Sequence, residues 1–221
     1  MGRSRAAALD GARRAIAENG LRKATMGDIA GRGGLAKATL YNHFRTKDEV
    51  VAALLADDVA ELCADCVDLA RDDLVTALTR AADGVAAHPV LAGLREVEPT
   101  ALVGAAAPGP GPGWDLVRAH VALVLDAADR SSASDHIDLV VRWLAGHVLA
   151  TGTQESRAAQ ARVLSAGLPA AVRTTSFAAP ASGRRTPSGR PVSTRVVAPH
   201  GSAARSTPAA RHRADRSGTS R

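Results

Sequence analysis

Polar side chains between residues 37 and 47 have the chemistry to contact nucleic acid. The same stretch contains Tyr41 and Phe44, two of only five aromatic residues in the chain. On a helix whose Leu40 and Phe44 face the core, the polar side chains between them point outward. Tyr41 lies on the flank, where we expect its ring to be buried and its hydroxyl to face outward. The outward and flanking residues are Ala38, Thr39, Asn42 and His43.

A helix with this outer face can read DNA. Asn42 can pair bidentately with adenine, Thr39 can touch a base edge or a thymine methyl group, and Ala38 can pack on such a methyl group. The other polar side chains have the reach and the chemistry for phosphates or groove edges. They are Lys37, Tyr41, His43, Arg45 and Lys47. Thr25, predicted at a helix N-terminus, can offer its hydroxyl and nearby N–H groups to a further phosphate.

Helix caps and glycines predict the elements that position these residues. A first helix is predicted over 6–19, where apolar side chains recur at three- and four-residue spacing. Thr25 and Asp28 form a capping-box variant that starts a short helix, and Gly33-Gly34 ends it at a tight turn. A second short helix follows over 36–44. Two short helices joined by a glycine turn predict a helix-turn-helix, which is narrow enough for the major groove.

The chain beyond this motif is also predicted to be helical. Thr46 and Glu49 form a fuller capping box that starts a long helix through about residue 71. Its apolar stripe consists of Val51, Leu55, Val59, Leu62, Cys66 and Leu69. Further helical patterns cover 73–87, 90–104, 113–129, 135–150 and 155–168. Because no segment alternates convincingly enough to be a strand, the sequence predicts an all-α fold.

The net charge of +6 is unevenly distributed along the chain. Residues 1–47 carry ten Lys or Arg against three acids, residues 48–170 eight against eighteen, and residues 171–221 ten against one. A basic head on an acidic body indicates that only the head meets a polyanion. The last segment is rich in Arg, Ser, Thr and Pro and cannot bury enough apolar surface to fold, so 173–221 is predicted to be a disordered basic tail.

The segment TMGDIAGRGGLAKATLYNHFRTKDEVVAALL resembles the DNA-binding region of the TetR family of transcriptional regulators, and the resemblance covers about residues 8–55. It implies an all-helical homodimer with an N-terminal three-helix head and a divergent helical body that binds a small effector. The phosphate contacts that it implies are Thr25, Tyr41, His43 and Lys47. The base-reading positions that it implies are Gly27, Lys37, Ala38, Thr39 and Asn42.

The chain departs from the family pattern at three positions. Ala36 stands where a capping serine is common, and losing a capping side chain costs about 1 kcal/mol of helix stability. Gly27 has no side chain with which to reach a base, and Ile16 stands where phenylalanine is usual. These departures concern sequence preference and affinity rather than the fold.

The sequence therefore predicts a ligand-responsive, dimeric DNA-binding regulator, most simply a repressor released from a pseudo-palindromic operator by a small effector. Residues 1–47 form the DNA-binding head, 48–172 the effector-binding and dimerisation body, and 173–221 the tail. The candidate effector contacts are Leu62, Cys66, Trp114, His120 and Trp143. No cofactor or metal ion is expected. No apolar run approaches the ~18 residues of a spanning helix, so a soluble cytoplasmic protein is expected.

Alternative interpretations concern the cysteines, the tail and the body helices. Cys63 and Cys66 share one helix face, which permits a redox or metal sensor, although buried packing is the commoner role of cysteine. The arginines of the tail permit a nonspecific architectural DNA binder. No catalytic constellation is recognisable, so an enzyme is not expected. The apolar stripes of 113–129 and 135–150 fit either the core of one chain or half of a four-helix dimer interface.

Overall fold

The computed structural model describes residues 2–171, except the side chain of Ala105, and this part contains ten α-helices and no strand. The all-α prediction is confirmed. The helices are α1 Gly2–Lys23, α2 Met26–Arg32, α3 Lys37–His43, α4 Lys47–Ala70, α5 Leu74–Ala87, α6 Pro89–Val97, α7 Pro99–Ala105, α8 Pro112–Ala127, α9 Ser134–Leu149 and α10 Gln154–Gly167. The predicted tail, 173–221, lies outside the described residues.

Helix α1 is the central support of the N-terminal head. Its small side chains bring it close to α2, since a Cβ added to Gly11 would lie 2.3 Å from the carbonyl oxygen of Ile29. The helix breaks near the predicted position, because Gly20 has a left-handed φ of 80° before one last turn to Lys23. Helix α3 then packs on α1 through Leu40 and Phe44, whose exposed fractions are 0% and 6%.

Helix α4 leaves the head and forms one wall of the body. Its fully inward positions are Val50, Leu54, Cys63, Cys66 and Ala70. The predicted stripe is therefore displaced by about one residue along most of the helix, and its member Leu55 is 41% exposed. Val51, Val59 and Leu62 of the predicted stripe line a cavity together with the inward-facing Leu54 and Cys63.

The single helix predicted over 90–104 is two helices, α6 and α7. Pro99 has no N–H to donate to the preceding turn, and it disfavours the helical conformation of the residue before it. Glu98 accordingly has φ −149° and ψ 59°. The break places the Glu98 carboxylate beside α1, where its Oε2 accepts a hydrogen bond from the backbone N–H of Arg22 at 3.0 Å.

The stripes of α8 and α9 lie inside one chain. Val121, Val124 and Leu125 of α8 and Val140 and Val141 of α9 are buried together with the cysteines of α4. Of the two predicted alternatives, the structure thus places these stripes in the core of one chain. No helix in the described part of the chain combines the length and the apolar composition needed to cross a bilayer.

Candidate DNA-binding head and effector cavity

Helix α2 and its turn are fixed by local hydrogen bonds. The hydroxyl of Thr25 accepts from the N–H of Asp28 at 3.1 Å, and the carboxylate of Asp28 accepts from the N–H of Thr25 at 3.0 Å. This is the capping box predicted from the sequence. The turn into α3 needs a glycine at Gly34, whose φ is 63°. Ala36, the N-cap of α3, provides no side-chain cap.

Helix α3 displays the predicted DNA-facing residues. Lys37, Ala38 and Asn42 are exposed, whereas Thr39 and His43 are partly buried. Tyr41 is 51% exposed, so the prediction that its ring is buried is wrong. The reason is geometric: Leu40 and Phe44, one turn apart, occupy the inward face, and Tyr41 is rotated by about 100° from Leu40. About half of the surface of Tyr41 is therefore accessible to a ligand.

The cations nearest to α3 are not neutralised. Among the described residues, Lys37 and Arg45 form no ion pair, whereas Arg13, Arg14 and Arg32 each pair with a carboxylate. Positive charge that is free of carboxylates therefore remains beside the exposed face of α3. That distribution suits a phosphate backbone.

Lys37 and Lys47 have additional contacts within the head. A Cβ added to Gly27 would lie 3.2 Å from the Cε atom of Lys37, so the lysine stem lies across this glycine of α2. The Nζ atom of Lys47 donates to the carbonyl oxygens of Leu21 at 2.8 Å and of Arg22 at 3.3 Å. Lys47 thus joins the start of α4 to the end of α1.

The start of α4 is capped differently from the prediction. Thr46 accepts from the N–H of Glu49 at 3.2 Å, as expected. The carboxylate of Glu49, however, accepts from the N–H of Arg45 at 2.7 Å rather than from that of Thr46. This contact orders the backbone of Arg45 and leaves its exposed side chain free to extend toward a ligand.

A cavity of about 460 Å³ lies among α4, α5, α6, α8 and α9. Its wall is almost entirely aliphatic, and four of the five predicted effector contacts line it: Leu62, Cys66, Trp114 and His120. Trp143 does not line the cavity, and its indole N–H instead donates to the side chain of Gln160 at 2.9 Å. On α9 the residues facing the cavity include Val140, Leu144 and Val148, and Trp143 lies to one side of that row.

The head contributes directly to this cavity. Ile16 and Leu21 of α1 are part of its wall, opposite residues of α4 and α8. Beside it, a second depression of about 330 Å³ shares Asp58, Leu62, Gly84 and His88 with the cavity. There the Asp58 carboxylate accepts from the guanidinium of Arg13 on α1 and is 2.9 Å from Nε2 of His88. Burial raises the pKa of Asp58, but hydrogen bonds from His88 and Arg13 outweigh it and lower the pKa overall.

Residues 8–54 match the family model of bacterial regulatory proteins of the tetR family. The head is a TetR-family DNA-binding domain. One solved structure with a similar fold is described as the molecular basis for control of antibiotic production by bacterial hormones. The two sequences are 22% identical and the TM-score is 0.51. The aligned region covers 77% of this chain and 100% of the other chain. The fatty acid degradation regulator FadR from Bacillus halodurans is 16% identical with a TM-score of 0.52, over 74% of this chain and 93% of its own.

These two likenesses to solved structures concern the fold of the TetR-family chain. No curated protein matches its sequence. The family match covers the head, whereas the likeness in fold extends over the body. The chain therefore carries the DNA-binding domain of a TetR-family regulator on a helical body of similar fold.

The cysteines of this TetR-family body are buried thiols. Cys63 is 8% exposed and Cys66 is 2% exposed, and both are free. Burial raises the pKa of Cys63 and raises that of Cys66 to about 11. Because the thiolate is the reactive form, this environment disfavours the redox alternative. Within residues 2–171 no three side chains of the ligating types are grouped closely enough to hold a metal ion.

Sequence reasoning missed the contact between Asp58 and His88. The predicted site residues include neither Asp58 nor His88. A signal was present, since Asp58 continues the inward series of Val50 and Leu54 at four-residue spacing. A carboxylate on an inward helix position requires a buried partner, and both partners come from other helices.

Proposed function

We propose that this TetR-family regulator is a homodimeric repressor that leaves a pseudo-palindromic operator when a small effector occupies the cavity. In this proposal 1–47 binds DNA and 48–172 binds the effector and dimerises. The observation that carries it is the double role of α1, which shares a buried cluster with Leu40 of α3 and lines the cavity through Ile16 and Leu21. An effector that moves the cavity wall therefore acts on the helix under the recognition helix.

The DNA side of the proposal uses the outer face of α3. Asn42 and Thr39 read base edges, Ala38 packs on a methyl group, and Lys37 approaches the groove edge. The phosphate contacts are Thr25, Tyr41, His43, Arg45 and Lys47. Two copies of α3 about 34 to 36 Å apart enter successive major grooves of one DNA face. The partner is the double-stranded DNA of the cytoplasm.

The dimer uses the outer faces of α9 and α10. Leu139 and Leu149 of α9 are 48% and 50% exposed, and Val163 of α10 is 76% exposed. Exposed aliphatic side chains on two consecutive helices are costly in a monomer and suit a self-complementary interface about a two-fold axis. The four helices of two chains then pack as a bundle. Leu123 of α8 is also 54% exposed, so the pair of helices considered from the sequence, α8 with α9, is the alternative interface.

The effector is proposed to bind in the cavity because its volume is in the range of about 300 to 1,000 Å³ that is usual for ligand sites. The names of the two proteins similar in fold refer to a bacterial hormone and to fatty acid degradation, both consistent with control by small molecules. To act, the effector must bind one conformation more tightly than the other, with a coupling of about 1 to 3 kcal/mol being typical.

The test begins by selecting duplexes from random or genomic DNA with the full-length protein. Asn42→Ala should relax the preference at one base pair by about 1 to 3 kcal/mol, whereas Tyr41→Ala should weaken binding to all sequences. Arg45→Ala should also weaken binding to all sequences. It should reduce the slope of log affinity against log salt concentration by about the amount expected for one phosphate contact.

Arg71→Ala is the matched control for Arg45→Ala. Arg71 is an exposed arginine just beyond the opposite end of the 24-residue α4, so it lies roughly 36 Å of helix from Arg45. Its removal should leave DNA affinity unchanged. An intact dimer that prefers no duplex over random competitor, or equal losses in the Arg45 and Arg71 variants, would overturn the proposal.

A further inference from the structure

The cavity wall has a restricted set of polar groups. The described residues that line the cavity include one carboxylate, Asp58, and two histidines, His88 and His120. They include no lysine or arginine. The charge of Asp58 is already balanced by Arg13. A carboxylate ligand would therefore lose its hydration without gaining a cation inside the cavity. These charges favour an uncharged ligand.

The hydrogen-bond partners of the histidines fix which ring nitrogen carries a proton. The Nδ1 atom of His120 is 2.8 Å from the backbone carbonyl oxygen of Leu116, which can only accept, so Nδ1 is the donor. In the neutral ring, Nε2 then carries a lone pair. The Nε2 atom of His88 donates to the ionised Asp58 in the same way, and its buried Nδ1 has no partner. Both rings thus have an unused acceptor.

The donors of the same wall are few. The thiol of Cys63 is used, since its Sγ lies 3.6 Å from the backbone carbonyl oxygen of His120. Trp114 also lines the cavity, and its indole N–H makes no hydrogen bond with any residue in the described part of the chain. A hydroxyl group both donates to a histidine lone pair and accepts from an indole N–H. Neither a carboxylate nor an ether offers both functions.

We propose that the effector is an uncharged, mainly aliphatic molecule carrying a hydroxyl group, and that His120 accepts a hydrogen bond from this hydroxyl through Nε2. The aliphatic part lies against the leucine and valine side chains of α4, α6 and α8. This inference rests on the proposed function, because it specifies the ligand class of the same cavity. His120 is then the residue that selects between ligands of equal size.

Three probes test the hydroxyl requirement. 1-Decanol and 1-methoxynonane are isomers, but only 1-decanol has an O–H group. Decanoate has a charged carboxylate in place of the hydroxyl. Binding is followed by Trp114 fluorescence in full-length Trp143→Phe protein at about pH 8, where an unperturbed imidazole is neutral. We expect 1-decanol to bind about three- to tenfold more tightly than 1-methoxynonane, and decanoate to bind more weakly still.

The assignment to His120 is tested in the same background. His120→Phe should bring 1-decanol to the affinity of 1-methoxynonane while the ether binds as before. His136→Phe is the control, since His136 lies outside the cavity wall and its Nδ1 contacts the hydroxyl of Ser131 at 3.0 Å. In this control the preference for 1-decanol should persist, whereas loss of the preference in both variants would overturn the role of His120.

Several results would overturn the ligand class. They are equal binding of the two isomers, tighter binding of decanoate than of 1-decanol, and no change of Trp114 emission with any probe. None of these measurements involves DNA. If one of these results is found and the protein still prefers particular duplexes, only the hydroxyl-bearing ligand is rejected. If the protein prefers no duplex, the proposed regulatory function is rejected.

Discussion

Gly93→Ala should separate α6 from α1 and destabilise the protein. A Cβ at this position would lie 2.1 Å from the carbonyl oxygen of Ala17 and 2.6 Å from its Cα atom, whereas Cβ contacts under 3.0 Å essentially do not occur. Because the obstructing atoms belong to the backbone, no side-chain rotation relieves the clash. Helix α6 must withdraw from α1 by about 1 Å, and overpacking of this kind costs about 1 to 3 kcal/mol.

The control for this variant is Gly104→Ala. Gly104 lies in α7 with no atom within 4 Å of an added Cβ, so the substitution gains helix propensity without a clash. That gain is about 0.5 to 1 kcal/mol. Gly93→Ala gains the same helix propensity because Gly93 is also helical, so the clash alone sets the difference between the two free energies of unfolding, about 1 to 3 kcal/mol. For a chain of this size the melting temperatures should differ by roughly 2 to 12 °C.

The assay is thermal unfolding by far-UV circular dichroism at one fixed protein concentration, because dimerisation would make the midpoint depend on concentration. Operator affinity is measured in parallel below the transition. Since Val90, Leu91 and Leu94 of α6 line the cavity, its withdrawal should also weaken DNA binding without ligand. A melting temperature for Gly93→Ala equal to or above that of Gly104→Ala would refute the close contact between α1 and α6.

Two further predictions follow from the ionisable groups of the body. Burial raises the pKa of the Cys66 thiol to about 11 and also raises the pKa of Cys63. Mass spectrometry should therefore show that both thiols are alkylated slowly at about pH 8 in native protein and rapidly after unfolding. Rapid alkylation of the native protein would favour the redox alternative. Burial opposes ionisation of Asp58, but hydrogen bonds from His88 and Arg13 lower its pKa overall. The ionised carboxylate therefore stabilises the fold above the pKa of about 3.9 that Asp has in the unfolded chain. This stabilisation is lost as the pH falls through the lower pKa of the folded state. Asp58→Asn should therefore be less stable at neutral pH and lose less stability than the unsubstituted protein on acidification in denaturant titrations, and parallel pH profiles would contradict this.

The head was largely predictable because local chemistry determines it. The capping box of Thr25 and Asp28, the turn at Gly34 and the inward positions of Leu40 and Phe44 are all encoded within a few residues of each other. The exposure of Tyr41 was mispredicted, since an aromatic ring on a helix flank is buried only if another element covers it. Nothing in the local sequence specifies whether such an element is present.

The cavity could be predicted only in part, because it depends on contacts between distant segments. Periodicity identified the apolar residues of α4, but an empty space and a packed core require the same residue types. Leu62 and Cys66 were therefore recognisable as candidates, whereas the position of Trp143 outside the cavity depends on how α9 is rotated against α10. The partnership of Arg13 with Asp58 joins positions 45 residues apart and has no local signature.

The contacts of α1 connect the wall of the cavity to helix α3. Helix α1 meets α6 at a backbone contact that Gly93 alone permits, and its last turn is held by Glu98 and by the ammonium of Lys47. Contacts of this type are not compressible, because packed backbones cannot absorb a displacement as side chains can. A ligand that shifts α6 must therefore move α1 as a body or break these contacts. In the proposed mechanism either outcome changes the support of Leu40 in α3, and this is how α1 and α4 would transmit the effector signal.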